Sequence, residues 1–268
     1  MSPPPFGQVR RLGVVGSTNA YLLGEARRGA PAGLVAVADH QTAGRGRLGR
    51  RWEAPPGSSL LVSVLLRPVL SPDDLHLCTA AVALATASAC RTVAGVWPTV
   101  KWPNDLLVGD DKLAGVLAEA DAAAPGGPPG SVAVVVGVGC NVDWPGPPGA
   151  GGTSLADAAG RPVDREQLLQ ALLTELGPRV EALGTDGGRR GLGDELRDRC
   201  RTLGQVVRVD LAGGVVVEDG PVENGIVGRA VELTAEGHLV VETGDGRQVV
   251  AAGDVVHLRP ADGDRRGQ

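Results

Sequence analysis

Apolar positions change their spacing near residue 203, and that change divides the chain. Upstream, residues 34–39, 58–67 and 132–139 are apolar without alternation, the pattern of strands buried on both faces. Residues 100–102 and 113–119 predict two further strands around a Gly-Asp-Asp turn. Helical spacing runs over residues 20–28, 72–94, 165–183 and 194–201. Ser17 and Thr18 offer an N-cap to the first of these helices. Pro72 opens the second, with Asp73 and Asp74 where the helix dipole favours carboxylates. Residues 1–13 predict a short Pro- and Gly-rich tail, and residues 126–130 and 145–152 predict Gly/Pro loops. Downstream, the period falls to two. Short strands at 206–211, 225–233, 239–242, 249–251 and 255–258 alternate with Gly, Asp and Asn-Gly turns, which predicts a small antiparallel barrel. The expected organisation is α+β: a larger mixed-sheet unit over 14–203, the barrel over 204–260 and a disordered tail over 261–268.

Composition narrows the class. Hydrophobic residues make up 43% of the chain, mostly Ala, Val and Leu, so the core is built with few aromatics. A formal charge of −5 argues against a general nucleic-acid coating protein. The cysteines at 78, 90, 140 and 200 form no C-x-x-C pair, so neither zinc nor a disulfide framework is indicated. No basic segment leads into an apolar one at the N-terminus, and no uninterrupted apolar run approaches ~18 residues. A soluble cytoplasmic protein is therefore expected.

Charge identity points to the chemistry. The chain holds only two lysines among its 26 cationic side chains, Lys101 and Lys112, and both lie in one twelve-residue stretch. A composition that has drifted to arginine keeps lysine where a compact, rotatable ammonium does what a planar guanidinium does not. Asparagine is equally sparse, and Asn19, Asn104 and Asn141 each fall in a segment that reads as a site.

Four segments carry the candidate residues. Gly44-Arg-Gly-Arg-Leu-Gly49 has the letters of a dinucleotide fingerprint, but Trp52-Glu-Ala-Pro-Pro-Gly57 follows it and is no helix. What remains is a glycine loop with Arg45, Arg47, Arg50 and Arg51, suited to gripping phosphate, although a solvated basic loop has the same composition. Lys101-Trp-Pro-Asn-Asp105 ends a strand on a proline, presenting Asn104 and Asp105 where Mg²⁺ and phosphate can bind; an ordinary Asn-Asp turn reads alike. Lys112 opens a strand whose interior glycine, Gly115, allows close approach of a ligand. Gly137-Val-Gly-Cys-Asn141 ends the buried strand with an amide that can pair with an adenine edge or simply close a turn.

Ser17-Thr-Asn19, Gln41-Thr-Ala-Gly-Arg-Gly-Arg47, Lys101-Trp-Pro-Asn-Asp105, Lys112-Leu-Ala-Gly-Val-Leu117 and Gly137-Val-Gly-Cys-Asn-Val142 stand in this order. Together they resemble the biotin protein ligases over about residues 14–258. The resemblance implies a mixed-sheet catalytic domain of the biotin/lipoate ligase type and a C-terminal SH3-like barrel. It also implies ATP and biotin as substrates, Mg²⁺, a biotinyl-5′-AMP intermediate, and a lysine of a biotin carboxyl carrier protein as acceptor. Ser17, Thr18, Asn19, Gln41, Gly44, Arg45, Gly46, Arg47, Lys112, Gly115 and Gly137 are the implied biotin contacts. Arg45, Arg47, Arg50, Trp52, Asn104, Lys112 and Asn141 are the implied nucleotide contacts, Asp105 the metal ligand, and Lys112 and Arg47 the catalytic pair. Only about thirteen residues precede the region of resemblance. The DNA-binding domain of bifunctional relatives, and its repressor activity, are therefore not expected. No membrane partner is expected, and the protein is expected as a monomer or weak homodimer. Leu48 and Cys140 depart from the usual pattern. The nearest rival is a lipoate or octanoate ligase; a non-catalytic biotin- or nucleotide-binding regulator is the rival from another class.

Overall fold

The structure, a computed structural model, describes residues 6–210, 216–217, 220–221, 225–251 and 254–257. The expected tail at 261–268 lies outside these residues. In chain order the first part comprises β1 (Gln8–Val15), α1 (Thr18–Arg27), β2 (Leu34–Gln41), β3 (Ser59–Leu66) and α2 (His76–Ala94). It continues with β4 (Thr99–Lys101), β5 (Asp105–Val108), β6 (Asp111–Asp121) and β7 (Ala133–Asn141), then α3 (Leu155–Ala159), α4 (Arg165–Ala182) and α5 (Asp186–Arg199). The second part comprises β8 (Val206–Asp210), β9 (Val216–Val217), β10 (Gly220–Pro221), β11 (Ile226–Leu233), β12 (Leu239–Thr243), β13 (Gly246–Val250) and β14 (Asp254–His257).

Seven strands form one sheet in the order β1-β2-β3-β7-β6-β5-β4, parallel only between β1 and β2. The expected tail over 1–13 is thus corrected: from Gln8 onward the chain is an edge strand. Its charged residues hid it, because an edge strand exposes most of its side chains. Arg11 makes a two-pronged bond to Glu166 that fastens this strand to α4.

Helix α2 packs on one face of the sheet with α4, and α1 on the other. The apolar stretch Pro72–Ala94 is long enough to cross a membrane, but 72% of an 18-residue apolar window within it is buried inside the protein. It is the central helix of the core. All four cysteines are buried and free, and burial pushes the Cys78 thiol up to about 12.

Five strands form the second sheet in the order β13-β12-β11-β8-β14, all antiparallel, consistent with the expected C-terminal SH3-like barrel. Its core contains Trp102 from the first part of the chain, whose indole N–H donates to the Gly237 carbonyl at 2.9 Å. The Trp102 backbone N–H is bound by the Thr202 hydroxyl at 3.0 Å. One side chain of the Lys-Trp-Pro-Asn-Asp segment therefore anchors the barrel against the sheet.

Candidate active site

Strand register builds the site. Directly opposed residues of neighbouring antiparallel strands project to the same face. One row across the sheet is Lys101–Asp105–Gly115–Gly139–Leu61, and a second, on the same face, is Leu117–Gly137–Ser63. The row opposite, Val100–Leu106–Ala114–Cys140–Leu60, lies wholly in the core beneath α2. Cys140 is thus a packing residue. Three glycines on adjacent strands clear the other face, and the space above them is a cleft open to solvent.

A β-bulge aims the lysine. Counting by twos, Lys112 and Gly115 should face opposite sides of the sheet. The register slips between Leu106 and Leu107, so β6 uses one residue more than β5 and Lys112 comes opposite Leu107. Leu113 and Ala114 both fall inward, and Lys112 joins Gly115 in the cleft. Its ammonium lies 2.7 Å from Asp105 Oδ1 and 5.6 Å from the centre of the Trp52 ring.

The arginine segment is a tight hairpin. Arg45 bridges Arg51, the Gly46 N–H donates to the Arg50 carbonyl at 2.8 Å, and the Arg50 N–H to the Arg47 carbonyl at 3.2 Å. Both central residues of that turn have positive φ, 57° at Leu48 and 74° at Gly49. This is a type I′ geometry, favourable for glycine and strained for leucine. Gly44 stands outside the cleft: a Cβ there would meet the Trp52 carbonyl oxygen at 2.4 Å, so its role is to close the hairpin. Arg47 reaches across to Asn104, Nη1 to Oδ1 at 3.4 Å, and burial pushes its guanidinium pKa down against the opposing pull of Asp105. Asn104 in turn donates to the Val116 carbonyl at 2.8 Å, so it holds Arg47 from the middle of β6.

At the N-terminus of α1 a polar cluster forms the deep end. Ser17 caps the helix. Gln41 Oε1 accepts the Thr18 backbone N–H at 2.8 Å and lies 3.0 Å from the Thr18 hydroxyl. Ser63 Oγ lies 2.7 Å from Thr18 Oγ1 and 2.6 Å from Asn19 Oδ1. Asn19 Nδ2 donates to the Leu117 carbonyl and to Glu119. Thr18 and Ser63 supply one hydroxyl proton each for three short oxygen–oxygen contacts, so the cluster is one donor short. Trp52, against Gly139 and Gly115, carries a buried indole N–H without a partner. One end of the cleft lacks a donor, the other an acceptor.

Fourteen of the sixteen candidate residues named from the sequence line this one cleft; Gly44 and Asn141 do not. Asn141 stands beside the cleft: its Nδ2 donates to the carbonyls of Pro145 at 3.2 Å and Thr153 at 3.1 Å, holding the 145–153 loop. That loop pairs with the backbone of Lys112. Ser63, Gly139 and Glu119 were not foreseen. Ser63 had a readable signal, the one polar residue inside Leu60-Leu-Val-Ser-Val-Leu-Leu66. Glu119 bridges Asn19 and Arg45, 3.2 Å from the latter, a contact no spacing rule contains.

Residues 12–141 match the model of the biotin/lipoate A/B protein ligase family, and residues 202–258 that of the biotin protein ligase C-terminal domain. The chain is 38% identical over 259 residues to the biotin–[acetyl-CoA-carboxylase] ligase of Mycobacterium tuberculosis, covering 93% of this chain and 90% of the relative. It is 30% identical over 256 residues to the bifunctional ligase/repressor BirA of Bacillus subtilis, covering 90% of this chain and 71% of the relative. The solved biotin protein ligase of Aquifex aeolicus in complex with biotin and ATP superposes with a TM-score of 0.74 at 25% identity, covering 95% and 100% of the two chains.

Proposed function

Because the chain belongs to the biotin/lipoate A/B protein ligase family, we propose that it is the ligase that activates biotin with ATP and attaches it to a carrier lysine. A biotin carboxylate oxygen attacks the α-phosphorus of ATP, the bond to the β-phosphate oxygen breaks, and pyrophosphate leaves with the electron pair. The acceptor amine then attacks the carbonyl carbon of biotinyl-5′-AMP, AMP departs, and the amine's proton is lost.

The observation that carries the reading is the donor deficit among Gln41, Thr18, Ser63 and Asn19. A ureido ring brings N–H groups and a carbonyl to such a cluster. A dithiolane ring brings no donor, and leaving buried polar groups unpaired costs about 1–3 kcal/mol each. This separates biotin from lipoate. Gly137 and Gly115 leave room for the ring and chain. Lys112 stands between carboxylate and α-phosphate, where its ammonium stabilises the charge developing on the bridging oxygens. Arg45 and Gly46 border the carbonyl, and Arg50 and Trp52 the nucleotide.

Mg²⁺ fits the donor set. Among the described residues no three His, Cys, Asp or Glu side chains gather. Asp105 is the cleft's carboxylate, with Oδ1 taken by Lys112. An ion here would rest on Asp105 and on phosphate oxygens, as Mg²⁺ commonly does. When bound, it would neutralise phosphate charge. The catalytic unit extends back to Gln8 and ends near residue 203, with the barrel beyond. The partner is a biotin carboxyl carrier protein or domain, and a reducing cytoplasm suits four buried free thiols.

Two measurements test the reading. Incubation with ATP, biotin and a carrier domain is expected to leave one biotin on one lysine, read by mass spectrometry. Exchange of pyrophosphate into ATP that depends on lipoate and ignores biotin would move the assignment to the rival ligase. Arg47→Gly, which removes the grip held in place by Asn104, is expected to release adenylate and to raise labelling of bystander lysines about 10-fold or more, the scale of one or two lost charge-assisted bonds. Labelling equal to that of the unmodified protein would remove Arg47 from this role.

A further inference from the structure

The Glu119 carboxylate joins two parts of the site that come from distant stretches of the chain. Alternation along β6 puts Gly115, Leu117, Glu119 and Asp121 on the ligand face. Beyond Leu117 that face meets α1, and both acids bond to the helix. Asp121 accepts from Arg27 at the helix end, 2.8 Å away, which fastens one exposed side chain to another element. Glu119 reaches two elements at once. Its Oε2 accepts from Asn19 Nδ2 at 2.9 Å in the first turn of α1, while its Oε1 lies 3.2 Å from Arg45 Nη1 in the arginine hairpin. It stands behind the cleft, beside Leu117 and the hairpin backbone.

Asn19 is buried, and an amide can present either its oxygen or its nitrogen to a ligand. Its two Nδ2 hydrogens go to the Leu117 carbonyl at 3.1 Å and to Glu119, so its oxygen is turned toward Ser63 Oγ, 2.6 Å away. That oxygen overhangs the floor of the cleft: a Cβ on Gly137 would stand 2.2 Å from it. A reversed amide would set its oxygen against a carbonyl and a carboxylate, neither of which donates. The donor deficit that favours a ureido ring therefore depends on Asn19 keeping this orientation, and Glu119 is the side chain that enforces it. The same carboxylate seats Arg45 beside the cluster. Resting on the ligase reading, we propose that Glu119 is a positioning residue for biotin. It fixes the Asn19 amide with its oxygen toward the ring, and it ties the arginine hairpin to that end of the cleft. An ordinary surface ion pair with Arg45 leaves the bond to buried Asn19 unexplained.

Glu119→Gln keeps the shape and turns one acceptor oxygen into a donor, so either Asn19 or Arg45 must face an N–H group. Calorimetry is expected to show the Kd for biotin rise about 10-fold, the scale of one charge-assisted hydrogen bond. The melting temperature should hardly move, because an ion pair to a half-exposed arginine contributes little to stability. In pyrophosphate exchange the KM for biotin rises with the Kd, while kcat falls by less than about 3-fold. Tryptic cleavage between Arg45 and Arg51 of the unliganded protein quickens as the hairpin loses its tether. Unchanged biotin affinity overturns the proposal. So does a lowered melting temperature with kcat and KM impaired alike, the mark of a merely structural residue. Should the glutamine variant fail to fold, Glu119→Asp, whose shorter stem reaches one partner but not both, carries the same test. Its expected rise in the Kd for biotin is about 3-fold; no rise overturns the proposal. An unmodified protein that binds no biotin ends the ligase reading and this one with it. One that binds and adenylates biotin, beside a variant of equal affinity, ends this one alone.

Discussion

Lys112→Ala is expected to lower biotin-dependent ATP–pyrophosphate exchange by about 10²- to 10³-fold, the cost of removing one preorganised donor from a developing oxyanion. Lys112 lies 2.7 Å from Asp105 Oδ1, so its loss also removes a cation from that carboxylate where phosphate must approach. The polar cluster at the far end of the cleft involves neither residue. Biotin binding should consequently weaken by less than about 10-fold, since the interaction removed belongs mainly to the transition state. Calorimetry of biotin binding beside an exchange assay reads both quantities. Unchanged exchange in this variant ends the catalytic assignment of Lys112, while equal losses of affinity and rate make it a ground-state contact.

Gly137→Ala is the second large effect. A Cβ at this position would stand 2.2 Å from Asn19 Oδ1 and 3.0 Å from Ser63 Oγ. Asn19 cannot swing aside freely, because its amide is held by Leu117 and Glu119 in the first turn of α1. Either the backbone of β7 shifts, or the cluster that would receive the ureido ring comes apart. The first route costs about 1–3 kcal/mol of stability, as overpacking generally does. The second is expected to weaken biotin binding about 100-fold, equivalent to two lost hydrogen bonds that leave buried partners. A variant with native melting temperature and biotin affinity within a few-fold of the parent would show that the ring does not sit above Gly137.

Most of the fold is readable from apolar spacing. The buried strands β2, β3 and β7 are expected from continuous apolar runs, and α2 and α4 from helical spacing, although Pro72, Asp73 and Asp74 form a separate turn ahead of α2. The failures are local and physical. Strand β1 exposes charge because it is an edge. Strand β5 is only four residues long, hidden between a polar pair and a glycine turn. The first turns of α5 hold Gly187, Gly188 and Gly191, poor helix formers. They are helical because Thr185 caps the Gly188 N–H at 3.1 Å and Leu192 packs into the core.

The sequence by itself determined which side chains take part, since lysine and asparagine stand apart in a chain otherwise served by arginine. It did not determine how they face one another. Counting by twos sends Lys112 away from Gly115, and only the bulge opposite Leu107 turns it back. Asn141 has the letters of a ligand contact, and only the fold shows that its amide also holds carbonyls four and twelve residues downstream. Register and hydrogen-bond satisfaction arise between strands distant in the chain. No local pattern encodes them, because each is fixed by a partner that comes into reach only when the sheet closes.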